Sequence, residues 1–154
     1  MVRQIFDQDE RRRIAREILS DLPDWFGNPK AVDDYVERSA QMIFFAAFEQ
    51  DNPAGFLCLN QTGRDTVEIS VMGVLRKYHR RGFGRALFEC ARDFARAGRW
   101  SFMQVKTVRA GEYKDYDETN AFYVSMGFKE FEVLPDFWDR KNPCQIYVMS
   151  LRQT

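Results

Sequence analysis

Between Val71 and Leu87 the chain reads VMGVLRKYHRRGFGRAL: a β-type run, a basic turn, two glycines, and then a helix with one apolar face. That order makes an anion site. The first N–H groups of a helix have no intrahelical acceptor, the helix dipole favours negative charge there, and glycine lets a phosphate approach the backbone with no Cβ in the way. Arg76, Lys77, Arg80, Arg81 and Arg85 crowd the same stretch, a density suited to a ligand with several phosphates. Taken alone, the stretch equally fits a tight turn whose arginines are solvated. Two nucleotide motifs fail on spacing. A P-loop needs Lys-Ser/Thr after its second glycine, where Arg85-Ala86 stands, and a dinucleotide fingerprint needs glycine at position 87, where Leu87 stands.

Other residues with chemical potential are sparse. His79 is the sole histidine and lies in the basic turn, which favours a structural or ligand-contacting role over that of a base. Cys58, Cys90 and Cys144 are odd in number, far apart and without metal-type spacing, so they read as core filler in a reducing cytoplasm. No metal cluster is visible. Glu68 lies on the strand leading into the loop. Alternation puts it with Ser70 and Met72 on one face and Val67, Ile69 and Val71 on the other. A carboxylate within a sheet core is costly unless paired or put to work.

The elements that position these residues follow from periodicity. Val2 to Phe6 predicts a strand, and Asp7 with Glu10 a capping box before a helix carrying Ile14, Ala15, Ile18, Leu19 and Leu22 on one stripe. After a break at Asp21 to Gly27, Asn28-Pro29 starts a second helix with a narrow apolar face (Val32, Tyr35, Val36). Met42 to Phe48, Gly55 to Asn60 and Asp65 to Val74 read as a meander, turning at Asp51-Asn52-Pro53 and Gln61-Thr62-Gly63. Gly82 to Ala97 is a strongly amphipathic helix, with Gly98 expected as its cap. A strand at Ser101 to Val108, a helix from Asp115 ending at Gly127, and strands at Phe128 to Leu134 and Cys144 to Leu151 complete the order. The run Pro135 to Pro143 is expected to be a connection. This pattern predicts an α/β (α+β) fold, a central mixed, mostly antiparallel sheet flanked by helices, in one domain over residues 1–154.

Composition excludes several classes. Lys plus Arg balances Asp plus Glu at 23 each, which removes any bulk attraction to nucleic acid or anionic membrane. No apolar run approaches the roughly 18 residues of a membrane span, and the charged start is no signal peptide. The expectation is a cytoplasmic protein with neither nucleic-acid nor membrane partners.

The loop His79-Arg80-Arg81-Gly82-Phe83-Gly84 resembles the acetyl-CoA signature of the GNAT superfamily of N-acetyltransferases, Gln/Arg-x-x-Gly-x-Gly/Ala, with His79 departing at the first position. Asn120-Ala121-Phe122-Tyr123 followed by Gly127-Phe128 resembles the family's second motif, though the alanine directly precedes Phe-Tyr instead of standing three residues earlier. The element order is also the family's, so the resemblance covers nearly the whole chain. It implies a GNAT-like acyl-CoA N-acyltransferase fold and the co-substrate acetyl-CoA, with no metal. Acetyl-CoA would be held by Met72, Gly73, Val74, His79, Arg80, Arg81, Gly82, Phe83, Gly84, Arg85 and Asn120. Met72 to Val74 would splay from its neighbour and pair with the pantetheine amides, and an N–H near Val74 would polarise the thioester carbonyl.

The implied reaction moves an acetyl group directly to a primary amine in a ternary complex. A phenol and a thiol titrate near roughly 10 and 8.5, which makes Tyr123 a candidate proton donor to the departing thiolate. The other reading of Tyr123 is an amphipathic core residue. Glu68 is the candidate base, or else a solvated strand carboxylate. The acceptor would lie against two acidic and aromatic runs, Asp21 to Pro29 and Pro135 to Pro143, with Asp24, Trp25, Phe26 and Trp138 as contacts. Such a lining suits a cationic small-molecule amine; rings that pin loops to the core are the alternative. A protein N-terminus or lysine as acceptor, a non-catalytic CoA-binding module and an RNA-binding protein stay open, and many relatives form homodimers.

Overall fold

A computed structural model of the chain describes residues 1–22 and 29–152. The predicted contacts Asp24, Trp25 and Phe26, and the predicted cap Asn28, lie outside the described residues. The elements run β1 (Val2–Gln4), α1 (Gln8–Ser20), α2 (Pro29–Ser39), β2 (Ile43–Glu49), β3 (Asn52–Gln61), β4 (Thr66–Val74), a 3-10 turn (Arg76–Tyr78), α3 (Phe83–Ala97), β5 (Phe102–Val108), α4 (Lys114–Ser125), β6 (Lys129–Asp139) and β7 (Asn142–Ser150). The strands form a seven-stranded sheet in the order β1-β2-β3-β4-β5-β7-β6. β1–β2, β2–β3, β5–β7 and β6–β7 pair antiparallel, while β4–β5 is parallel from Thr66↔Phe102 to Ile69↔Val105. This is the mixed, mostly antiparallel sheet that the pattern predicts. Contacts group the chain into two units, Met1–Asn60 with Ser70–Phe94, and Gln61–Ile69 with Ala95–Thr154.

The first unit packs the predicted stripe of α1, Ile14, Ala15, Ile18 and Leu19, with Val36 of α2 and the stacked rings of Phe44 and Phe56 (centroids 5.2 Å apart). Only half of the capping box forms. Asp7 accepts from Glu10 N at 2.8 Å, but the Glu10 carboxylate turns to Arg3 at 3.2 Å instead of back to the cap. Gly73 of β4 has a packing reason: a Cβ there would stand 3.1 Å from both Ile18 and Leu22, so glycine lets α1 close on the strand. The β2–β3 turn is tighter than predicted. It centres on Gln50 (φ 55°) and Asp51, so Asn52 and Pro53 already belong to β3. Pro53 pairs with Phe48 beside the register shift at Ala47/Phe48, a bulge being where a strand tolerates proline.

In the second unit the end of α3 corrects the expectation for Gly98. The left-handed residue is Arg99 (φ 64°), and the bonds Trp100 N→Ala95 O (3.3 Å) and Arg99 N→Arg96 O (3.0 Å) close the helix. Gly98 serves space instead, since a Cβ there would fall 2.5 Å from the Trp100 ring. Gly127 (φ 106°) caps α4 as predicted, with Phe128 N bonded to Tyr123 O at 3.1 Å. The run predicted as a connection, Pro135 to Pro143, is instead the outer part of the β6–β7 hairpin. Pro135 is tolerated because β6 is the edge strand and its register is irregular between Leu134 and Asp139. The Asp139 carboxylate closes that turn by accepting from Lys141 N and from Asn142 N and Nδ2.

Candidate functional site

The glycine loop is built within the first unit. Gly82 is the N-cap of α3, its carbonyl accepting the first helical bond from Ala86 N at 3.0 Å. The amides of Phe83, Gly84 and Arg85 therefore occupy the first-turn positions, which helix geometry leaves without an intrahelical acceptor. Gly82 itself has φ 89°, and nothing lies within 4 Å of where its Cβ would be. The position needs glycine for its backbone and leaves open space beside it. Arg80 (φ 63°) also adopts the left-handed region, at a strain that glycine alone avoids.

His79 follows the structural side of its reading. Its Nε2 meets Val74 O at 2.6 Å, and because a carbonyl can only accept, that nitrogen carries the proton. The ring so ties the basic turn to the end of β4. Leu75 N bonds to Ala54 O at 2.8 Å, and Asp21 Oδ2, at the end of α1, accepts from Arg76 N at 2.8 Å. Asp21 thus fastens the turn from behind. Arg81 pairs with Glu49 at 3.1 Å and lies over the rings of Tyr78 and Phe83, and Arg85 approaches Glu89 at 3.8 Å. These surface pairs are weak enough to exchange for a phosphate.

The second unit holds Tyr123 and Glu68. Tyr123 is 7% exposed, its ring among Phe122, Phe128 and Tyr147 at centroid distances of 5.6, 5.7 and 6.1 Å. Its hydroxyl has no hydrogen-bond partner among the described residues. Burial pushes the phenol well above its ordinary range, so it stays protonated as a donor at neutral pH. Asn120, predicted as an acetyl-CoA contact, makes hydrogen bonds within the protein. Its Nδ2 donates to Val108 O (2.9 Å) and Tyr116 O (2.6 Å), and its Oδ1 accepts from Tyr147 Oη (2.6 Å). With both amide hydrogens spent, Asn120 clamps α4 to β5 and β7.

Glu68 shows the alternation expected of it, between buried Val67 and Ile69. The sequence reading missed its partner. Lys106 Nζ lies 2.5 Å from Glu68 Oε2, with side chains only 23% and 14% exposed for Lys106 and Glu68. Periodicity places both on strand faces, but only the β4–β5 register brings them together. Trp138 is half-exposed beside Phe137, at a centroid distance of 5.6 Å, and the Phe137 ring lies 5.9 Å from Lys106 Nζ. Asp139, within the acidic and aromatic run Pro135 to Pro143, is spent on its turn. Among the described residues, no three His, Cys, Asp or Glu side chains gather as a metal site, and no helix is long and apolar enough to cross a membrane.

A mixed sheet whose fourth strand passes through a basic glycine turn into a helix N-terminus defines an acyltransferase of the acyl-CoA type. Residues 6–128 match the family model of the acetyltransferase (GNAT) family, and the chain belongs to that family of enzymes. Solved structures share the fold over nearly the whole length. A GNAT-family protein from Desulfovibrio desulfuricans superposes with a TM-score of 0.84 at 21% identity, covering 99% of each chain. An aminoglycoside 6'-N-acetyltransferase solved with coenzyme A gives 0.76 at 15% identity over 100% of this chain and 98% of that one. The ribosomal-protein-S18-alanine N-acetyltransferase from Escherichia coli gives 0.78 at 17% identity over 100% and 95%. No curated protein sequence matches the chain. The family uses acetyl-CoA. The residues here fit it: a glycine N-cap with open space beside it and a cationic turn suit a pyrophosphate.

Proposed function

We propose that the enzyme acetylates a primary amine carried by a cationic small molecule, by direct attack while both substrates are bound. The observation that carries the chemistry is Tyr123, a buried ring whose hydroxyl has no partner among the described residues and stays protonated. When bound, acetyl-CoA supplies the thioester that the amine attacks and the thiolate that leaves. The first-turn amides of α3, the backbone of Met72 to Val74, and the loop residues His79 to Arg85 hold it. Glu68 takes a proton from the attacking amine, directly or through water. Tyr123 gives one to the departing sulfur. The two transfers balance, one proton leaving nitrogen and one arriving on sulfur.

The exposed rings of Phe137 and Trp138 support a cationic acceptor, since an ammonium gains from aromatic faces; the Asp136 carboxylate next in sequence already faces Arg140 at 3.9 Å. Relatives in fold acetylate an aminoglycoside in one case and a ribosomal-protein alanine in another, so a protein N-terminus is the second reading. Calorimetry with acetyl-CoA comes first, followed by a panel of kanamycin, spermidine, a peptide with N-terminal alanine, and a lysyl peptide. Turnover of kanamycin or spermidine above both peptides supports the proposal. Preference for the alanyl peptide replaces it with the second reading, and no acetyl-CoA binding sinks both.

A further inference from the structure

The pair between Lys106 and Glu68 does more than neutralise a buried charge. β4 and β5 run parallel with Glu68 opposite Gln104, and Lys106, two residues farther along, shares that face and reaches back to Oε2 at 2.5 Å. Glu68 Oε1 has no partner among the described residues. With both side chains mostly out of water, their attraction is screened far less than at a surface. The Phe137 ring lies 5.9 Å from the ammonium, within reach of a cation–π contact.

We propose that Lys106 is a positioning residue for acyl transfer: it grips Glu68 by one oxygen and leaves the other oxygen to accept the acceptor's proton. The inference rests on the reading of Glu68 as base. Few other charges face the pair. Register carries Lys106 to Ile146 and on to Glu132, and Gln104 to Val148 and on to Lys129, so Glu132 and Lys129 are the charged groups of that face on β6, both exposed to water. From β7 comes the Cys144 thiol. Burial raises it, Lys106 draws it down and Glu68 pushes it up, which leaves a neutral neighbour. Lys106 is thus the one cation in direct contact with the carboxylate among the described residues.

The test is the split between kcat and KM in the full chain, with the best acceptor of the panel. Removing the cation in Lys106→Met lowers kcat by about tenfold or more, and Lys106→Arg restores most of it. Lys106→Gln replaces the methionine variant where that fails to fold. An unmoved kcat overturns the inference. A second arm follows the pH dependence of kcat/KM with kanamycin, or with whichever panel amine reacts best. The acid limb moves up in Lys106→Met while the KM for acetyl-CoA stays unchanged. If Glu68→Gln abolishes the limb and Lys106→Met leaves it in place, the role of Lys106 alone fails. If Glu68→Gln keeps the parent profile, Glu68 is not the base and the inference falls with it.

Discussion

The phenol of Tyr147 donates to Asn120 Oδ1 at 2.6 Å, which joins β7 to the middle of α4. The same amide donates to the carbonyls of Val108 and Tyr116, so one buried side chain holds the end of β5, the strand β7 and the helix that carries Tyr123. Asn120→Ala leaves those groups without partners and costs about 2–3 kcal/mol, against about 1 kcal/mol for Tyr147→Phe. Urea unfolding monitored by circular dichroism checks the order. Equal losses would mean that the carbonyl contacts carry no weight.

Replacing Tyr123 by Phe keeps the ring contacts and removes the donor. Turnover with the best panel amine should fall by about 10²-fold, while acetyl-CoA affinity by calorimetry stays within about twofold of the parent. Unchanged turnover would remove Tyr123 from the chemistry and return it to the core.

Gly82→Val strains a backbone at φ 89° and fills the open space beside the helix start. Stability should drop by about 1–2 kcal/mol, and acetyl-CoA binding should weaken at least about tenfold. Calorimetry on the folded variant separates the two effects, and full affinity would place the pyrophosphate elsewhere.

Alkaline pH should destabilise the fold through groups buried in neutral form. Burial raises both the Cys58 thiol and the Tyr123 phenol above their ordinary values. As pH climbs past the unfolded values, near about 8.5 and 10, the unfolded chain gives up protons that the folded chain keeps. The unfolded state then binds fewer protons and stability falls with pH, the contribution being complete below that window. Urea midpoints measured from pH 7 to 10.5 should decline, and Tyr123→Phe should flatten the upper part of the slope.

The end of α3 offers a paired test of backbone and space. Arg99→Gly relieves a left-handed arginine and should stabilise by about 1 kcal/mol. Gly98→Ala drives a methyl into the Trp100 ring and should destabilise by about 1–3 kcal/mol. Thermal melts showing the opposite signs would return the cap to Gly98.

Local order was legible wherever a residue's role depends on its near neighbours. The helix Phe83–Ala97, the glycine turn before it, the cap at Gly127 and the alternation of Glu68 with Val67 and Ile69 all follow from spacing alone. The hairpin over Lys129–Ser150 was not legible past Leu134. Pro135, Trp138, Asn142 and Pro143 carry loop signals, and those signals yield only because β6 is an edge strand, where a missing N–H interrupts no neighbour.

By itself, then, the sequence determined the order of elements, the mixed sheet, the basic glycine turn and the candidates Tyr123 and Glu68, since periodicity and turn chemistry act over a few residues. Tertiary structure alone decided that Lys106 grips Glu68, that Asn120 is a clamp, that His79 ties Val74 to its turn, and that Arg99 is left-handed so that Trp100 can lie over Gly98. The first two depend on which strand neighbours which and in what register. Parallel pairing of β4 with β5 joins residues 38 apart in sequence, a distance at which no local pattern carries information about the partner.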